Sequence, residues 1–205
     1  MKYCASPYQY IARKSRPVVV GDPSKGGVIV GDSNPIVVQS MLTSSTLDTE
    51  ACIEQSMHLV DVGCQIIRIT AQTRKYAANL EHIVSGIRSQ GSNVPIVADI
   101  HFKPDAAMEA VKWCEMVRVN PGNYADTKRF ITREYTGNEY QEELKRIEGK
   151  FGPLVEECKR LGRALRIGTN HGSLSDRIMS RYGDTPLGMV ESALEFAVIA
   201  RSRNF

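Results

Sequence analysis

The stretch Ile66-Ile67-Arg68-Ile69-Thr70 is a short run of branched apolar residues interrupted by one arginine. Runs that are apolar at nearly every position are typical of strands covered on both faces, as in a parallel sheet. Similar runs recur along the chain with longer segments of helical period between them, at Ile36–Met41, Pro95–Ile100, Met116–Asn120 and Leu165–Asn170. This alternation predicts an α/β fold of repeated βα units with five parallel strands.

Helix signals lie between these runs. Asp48 belongs to a residue type that caps the start of a helix, and Gly63 supplies a stop. Pro104, Pro153 and Pro186 each suit a first helical turn, where the missing N–H costs nothing. We therefore expect helices to begin at these points and to cover the sheet with their apolar faces.

Two regions depart from the alternation. Val18–Val20 and Val28–Val30 flank a turn-rich stretch at Asp22–Gly27, which predicts a β-hairpin that could plug one end of the sheet. The segment Tyr124–Lys150 is rich in charged residues with aromatic residues interspersed. It predicts a solvated, partly helical excursion between the fourth and fifth strands, or alternatively a surface that docks a partner.

The 205-residue chain is 42% hydrophobic and 24% charged, with a net charge of +3. This usage is that of a globular protein, and so small a charge gives no field that favours nucleic acid or an anionic membrane. The five cysteines are scattered without a Cys-x-x-Cys pair, so we expect reduced thiols in an intracellular protein. No apolar run has the length of a signal peptide or a membrane helix, so we expect a soluble protein.

Polar side chains recur in phase near the carboxyl ends of the predicted strands. Side chains alternate between the two faces of a strand, so residues two apart share a face. Each predicted strand therefore has a set of residues on one face near its carboxyl end. The sets are Gln39 and Met41; Arg68 and Thr70; Asp99 and His101; Arg118 and Asn120; and Arg166, Gly168 and Asn170. Parallel α/β folds place their ligands at this end of the strands.

Three buried arginines beside one carboxylate need an anion with two or more charges. The planar fork of arginine binds two phosphate oxygens at once, so we predict a phosphate or diphosphate ligand at Arg68, Arg118 and Arg166. An ordinary alternative is that each arginine pairs with a carboxylate from a neighbouring loop. His101 and His171 each follow a strand and could act as acid or base, or could simply be hydrogen-bonded wall residues. A metal site at Asp99, His101 and His171 lacks any second feature that fixes its spacing.

Four motifs together resemble the 4-hydroxy-3-methylbut-2-enyl diphosphate synthase family of the non-mevalonate isoprenoid pathway. The resemblance runs from about Arg16 to the end of the chain, and its motifs are Pro35–Met41, Ala98–Phe102, Val117–Asn123 and Arg166–Leu174. The form of the last motif and the long segment after Asn123 look most like the longer variety, which has a domain inserted after its barrel.

The resemblance implies a TIM-type (β/α)8 barrel whose mouth binds 2-C-methyl-D-erythritol 2,4-cyclodiphosphate. By motif match, the diphosphate would be held by Arg68, Arg118 and Arg166, with Asn120, Asn170 and His171 as further substrate-binding residues. Asp99 and His101 would lie near the methylerythritol portion as the catalytic pair.

The family reaction is a two-electron reductive opening of the cyclodiphosphate with loss of a hydroxyl as water. The resemblance implies that ferredoxin or flavodoxin supplies the electrons through a [4Fe-4S] cluster, which three cysteines and a glutamate hold in a separate C-terminal domain. None of the five cysteines falls in such a motif, so we expect no metal site in this chain and a fragment inactive alone. The expected location is the cytoplasm, or the plastid stroma for a plant protein.

Length supports the interpretation as a fragment. The predicted strand ends are about 32 residues apart on average, so eight units would need about 250 residues, and 205 hold about five. We expect an N-terminal tail at 1–15 and a partial barrel at 16–205, with a charged insertion at about 124–150. Its open edges would favour pairing with a second copy. Two alternatives stay open: a phosphoester-binding barrel transferase resembling dihydropteroate synthase, and a non-enzymatic interaction module that uses Tyr124–Lys150.

Overall fold

The structure is a computed structural model that describes residue 8 and residues 14–126 and 133–205. Within these residues the strands are β1 (Val18–Val20), β2 (Val28–Val30), β3 (Gln39–Met41), β4 (Ile66–Thr70), β5 (Ile96–Ile100), β6 (Met116–Val119) and β7 (Ala164–Ile167). The helices are α1 (Thr49–Asp61), α2 (Arg74–Ser89), α3 (Pro104–Ala110), α4 (Pro121–Tyr124), α5 (Gly137–Leu161), α6 (Asp176–Tyr182) and α7 (Pro186–Ser202). None of these helices is both long and apolar enough to cross a membrane.

Strands β3 to β7 form one parallel sheet in chain order, which confirms the five predicted parallel strands. The two edge strands are shorter than expected. Strand β3 begins only at Gln39, and Ile36 before it is exposed. Strand β7 ends at Ile167, so the prediction that it reaches Asn170 is wrong. An edge strand has a ladder on one side only, and its ends are held less firmly than those of a central strand.

The sheet is strongly curved. In a flat five-stranded sheet the edge strands would lie about 19 Å apart, too far for their side chains to meet. Yet the guanidinium Nη1 of Arg166 on β7 lies 2.9 Å from Oε1 of Gln39 on β3. The two edges therefore curl toward each other around a concave face, as in part of a barrel.

The convex face of the sheet carries the main core. Ile67, Ile69, Ile96, Val117 and Val119 are buried there against helices that include α1, α2, α3 and α5. Burial of such side chains stabilises the fold by about 1.5–3 kcal/mol each.

The amino-terminal end of the concave face is a second, smaller apolar layer. It joins Val97 and its neighbours on the sheet to Val20 of β1, with Val28 and Val30 of β2 packed against them. Strands β1 and β2 pair antiparallel, which confirms the predicted hairpin. Because this layer seals one end of the concave face, the opposite end is where a ligand can enter.

Helix starts follow the sequence signals with one exception. Pro104 and Pro186 open α3 and α7, and the Asp48 side chain caps α1 by accepting from the N–H of Ala51 at 3.1 Å. Pro153, in contrast, lies inside α5, so the prediction that it opens a helix is wrong.

The true start of α5 is a capping box. The Glu139 carboxylate accepts from the Thr136 N–H at 2.8 Å, and the Thr136 hydroxyl accepts from the Glu139 N–H at 3.3 Å. The second half of the charged segment is thus the first half of α5, while residues 127–132 lie outside the described residues.

A buried ion pair fixes the last three helices against one another. Arg177 on α6 donates to both carboxylate oxygens of Glu195 on α7, at 2.6 Å each, and to the hydroxyl of Tyr140 on α5 at 2.7 Å. These side chains are almost fully buried, so the charges of Arg177 and Glu195 compensate each other, and the Asp126 carboxylate lies 3.6 Å from Arg177 as a further partner. The network holds α6, and with it the loop that follows β7.

Phe151 provides a test of the packing between α5 and α7. Its ring is fully buried and lies 4.7 Å from the ring of Phe196, centroid to centroid. Phe151→Ala should lower the free energy of unfolding by about 3–5 kcal/mol, because the cavity cannot close completely. Urea denaturation of the chain measures this change. The matched control is Phe102→Ala at an exposed site, and a loss as large there would contradict the assignment of the core.

Candidate anion-binding site

Asp99 is the centre of a charged cluster on the concave face. Its side chain, on β5, is fully buried. Parallel register places Asp99 beside Thr70 of β4 and beside Arg118 of β6, and Arg118 in turn beside Arg166 of β7. Residues in register point to the same face, so the in-phase arrangement expected from the sequence brings these side chains together.

Two guanidinium groups share the Asp99 carboxylate. Arg68 donates from Nε to Oδ2 at 3.0 Å, with a second contact to the same oxygen from Nη2, and Arg118 donates from Nη1 to Oδ1 at 2.9 Å. Burial raises the pKa of Asp99, but the hydrogen bond from Arg68 and the positive charges of Arg118 and Arg68 outweigh it and leave the pKa below its ordinary value. Asp99 is therefore an anion at neutral pH.

His101 belongs to the same cluster. Its Nε2 lies 3.0 Å from Oδ2 of Asp99, and its ring meets Phe102 edge to face at 5.8 Å between centroids. The ring is about one-third exposed, whereas Asp99 is not exposed at all. His101 is thus positioned between the buried carboxylate and the open end of the concave face, where it can exchange a proton with a bound molecule.

Gly168 closes the space around Arg118. The Nη2 of Arg118 donates to the Gly168 carbonyl at 2.6 Å. A Cβ on Gly168 would lie only 1.9 Å from Nε of Arg118. Strand alternation places Gly168 on the correct face but indicates no role for it. Its fit against the guanidinium appears only in the folded chain.

Arg166 differs from the other two arginines because no carboxylate contacts it among the described residues. Burial lowers the pKa of Arg166, and the positive charges of Arg68 and Arg118 lower it further, while Asp99 opposes the shift. The cluster thus holds three guanidinium groups against one carboxylate. This excess of positive charge, partly removed from water, is what a multiply charged anion would neutralise.

The remaining sequence-predicted residues lie in the loops beyond the strands. Asn120 caps α4 by accepting from Gly122 N–H at 3.2 Å, and its amide nitrogen donates to the Ser173 hydroxyl at 2.8 Å. A Cβ on Gly122 would lie 1.6 Å from the Ser173 carbonyl oxygen, so the loops after β6 and β7 are in close contact.

Asn170 caps the short 3-10 turn His171–Ser173, accepting from the Gly172 N–H at 3.0 Å. His171 is exposed and pairs with Asp184 at 2.8 Å. In the described part of the chain these two residues are held by their own loop contacts and not by the Asp99 cluster.

Cysteine chemistry does not fit an iron-sulfur site in the described part of the chain. Four cysteines are buried free thiols: Cys52 on α1, Cys158 on α5, and Cys64 and Cys114 in the loops before β4 and β6. Burial raises the pKa of Cys52 to about 11 and that of Cys158 to about 12. No group of three or more His, Cys, Asp or Glu side chains there could hold a metal ion. A cluster needs thiolates brought to one point, and the described cysteines form no such group.

Removing the Asp99 charge should destabilise the fold strongly. Asp99→Asn leaves Arg68 and Arg118 without their shared anion, and we expect a loss of about 3–5 kcal/mol in the free energy of unfolding at pH 7. Because the folded pKa of Asp99 is depressed, its contribution is present above the unfolded value of about 3.9 and is lost as pH falls through the folded pKa. Urea titrations of both proteins at pH 7 and pH 3 check this, and a difference that does not shrink at pH 3 would contradict it.

Comparison with known proteins agrees with this geometry. The family described as the GcpE TIM-barrel domain matches residues 19–205. A protein of Akkermansia muciniphila named 4-hydroxy-3-methylbut-2-en-1-yl diphosphate synthase (flavodoxin) is 60% identical over 203 residues, which are 99% of this chain and 34% of that protein. A rice protein named 4-hydroxy-3-methylbut-2-en-1-yl diphosphate synthase (ferredoxin), chloroplastic, is 50% identical over 205 residues, 100% of this chain and 27% of that protein.

A third relative, from Leptospira interrogans, carries the flavodoxin form of the name and is 53% identical over 204 residues, 100% of this chain and 30% of its own length. The chain therefore spans about a third of the length of the curated relatives it matches. The match begins within β1 and covers the rest of the hairpin, the parallel sheet and the whole charged cluster. This chain belongs to the GcpE family and comprises residues of its TIM-barrel domain.

Proposed function

We propose that this chain is the substrate-binding barrel portion of a 4-hydroxy-3-methylbut-2-en-1-yl diphosphate synthase. The observation that carries the proposal is a cluster of three guanidiniums with one buried carboxylate, which two of them contact, at the open end of the concave face. Relatives that are at least half identical to this chain over the matched segment are named for a diphosphate product. A diphosphate is the kind of anion that this excess of charge favours.

The proposed ligand is 2-C-methyl-D-erythritol 2,4-cyclodiphosphate. Arg166 and Arg118 would hold the diphosphate oxygens, with Arg68 completing the positive field. Asp99 would orient two of the arginines, and His101 would be placed to move a proton at the methylerythritol portion. The further substrate-binding residues of the proposal are Asn120, Asn170 and His171, at the loops around the same opening.

The whole protein would open the cyclodiphosphate by a two-electron reduction, with electrons from flavodoxin or ferredoxin delivered through a [4Fe-4S] cluster. We propose that the ligands of that cluster lie outside this chain, since the described cysteines do not fit such a site. The role of this chain is then to bind and orient the substrate. The protein would act in the cytoplasm, or in the plastid stroma if it comes from a plant.

The domain assignment follows the same proposal. Residues 16–205 would form part of the barrel after a tail at 1–15, with the charged insertion at about 124–150. Further βα units would join the exposed edges of β3 and β7. Without those units, each edge offers unpaired backbone groups to a second copy of the chain.

The arginines give the direct test. In the full-length protein, Arg166→Ala and Arg118→Ala should each weaken binding of the cyclodiphosphate by about 10- to 100-fold, because each removes charged hydrogen bonds in a partly dry site. Isothermal titration calorimetry measures the affinity. Arg160→Ala, an exposed arginine on α5, is the control and should leave it unchanged. Unaltered affinity in both site variants would refute the proposed function.

Gly168 gives an independent test without removing any charge. Gly168→Ala puts a methyl group where Nε of Arg118 lies, so the guanidinium must leave Asp99 and the Gly168 carbonyl. We expect affinity for the cyclodiphosphate to fall about tenfold, the equivalent of about 1.4 kcal/mol. Gly149→Ala, at an open position of α5, is the matched control. Equal affinities for the two glycine variants would show that the position of Arg118 does not matter.

A further inference from the structure

Gln39 accepts a hydrogen bond from Arg166, and it does so from the opposite edge of the sheet. The two residues are 127 positions apart in the chain, and the contact is 2.9 Å from Nη1 to Oε1. A guanidinium can only donate hydrogen bonds, so the amide oxygen of Gln39 must face it and the amide nitrogen must face elsewhere. The orientation of the Gln39 amide is therefore fixed by chemistry.

Arg166 differs from Arg68 and Arg118 in the kind of group that it contacts. Arg68 and Arg118 each lie against the carboxylate of Asp99, which compensates their charge. An amide has a strong dipole but no net charge, so Gln39 can orient a guanidinium and leave its full charge available.

Arg166 needs such an anchor because its neighbours repel it. Arg68 and Arg118 carry the same charge on the same concave face, and Asp99 is already shared by both. Without an anchor, the flexible Arg166 side chain would move away from this field toward water. A hydrogen bond across the concave face opposes that movement in the absence of ligand.

We propose that Gln39 is a positioning residue that holds Arg166 across the barrel interior, ready for an anionic phosphate group, without neutralising it. This inference rests on the proposed function, because it concerns the same anion site. The residue type matters: a carboxylate at position 39 would pair with Arg166 and compete with the ligand for it.

The experiment uses the full-length protein and inorganic pyrophosphate as the probe, with calorimetry at constant ionic strength. Gln39→Glu should weaken pyrophosphate binding at least tenfold, and Gln39→Met, which removes the acceptor but adds no charge, should weaken it less. Gln65→Glu is the matched control: Gln65 is exposed, lies outside the cluster and accepts from the Val38 N–H, as a glutamate also can. The affinity of the Gln65→Glu protein for pyrophosphate should stay within twofold of that of the parent protein.

A double-mutant cycle separates positioning from a general structural role. If Gln39 acts through Arg166, adding Gln39→Met to Arg166→Ala should cause no further loss of affinity. Additive losses, or a Gln39→Glu protein that binds pyrophosphate as well as the parent, would overturn the inference. If Arg166→Ala weakens binding but the position 39 variants do not, only this inference fails. If the parent protein does not bind pyrophosphate at all, the proposed anion site fails with it.

Discussion

The pairing of one buried carboxylate with two guanidinium groups is the constraint on which the concave face depends. Asp99 is fully buried, and an isolated charge there would cost several kcal/mol. Arg68 and Arg118 reach it from the strands on either side, so the three central strands must keep their register for the charge to be compensated. Sheet geometry and the electrostatics of the site therefore stabilise each other.

The same interaction leaves the cluster with more positive than negative charge. Because Asp99 is shared, the third guanidinium, Arg166, contacts the neutral amide of Gln39 and meets no carboxylate among the described residues. The fold thus keeps an excess of positive charge partly out of water, at the end of the concave face opposite the apolar layer sealed by the hairpin. Such preorganised charge favours an anion over water, since the protein groups need not reorganise when it binds.

Local sequence features explain what could be predicted and what could not. The alternation of side chains along a strand is a local property, so the arginines of β4, β6 and β7 could be assigned to one face from their positions alone. The bounds of α5 were mispredicted because proline suits a first turn in general, while the capping box at Thr136 and Glu139 determined the actual start. The contacts of Asn120 and Asn170 could not be predicted in this way. Their side chains cap local turns, an alternative that strand alternation does not reveal.

By itself, the sequence determined the order of the βα units, the hairpin, the residues on each face and the family to which the chain belongs. Each of these follows from periodicity or from short motifs, which act over a few residues. Only the tertiary structure decided the curvature of the sheet, the fit of Gly168 against Arg118 and the contact between Gln39 and Arg166. Those features depend on how far each strand is rotated against the next, and that rotation is fixed by packing across the whole sheet, with no local signal in the chain.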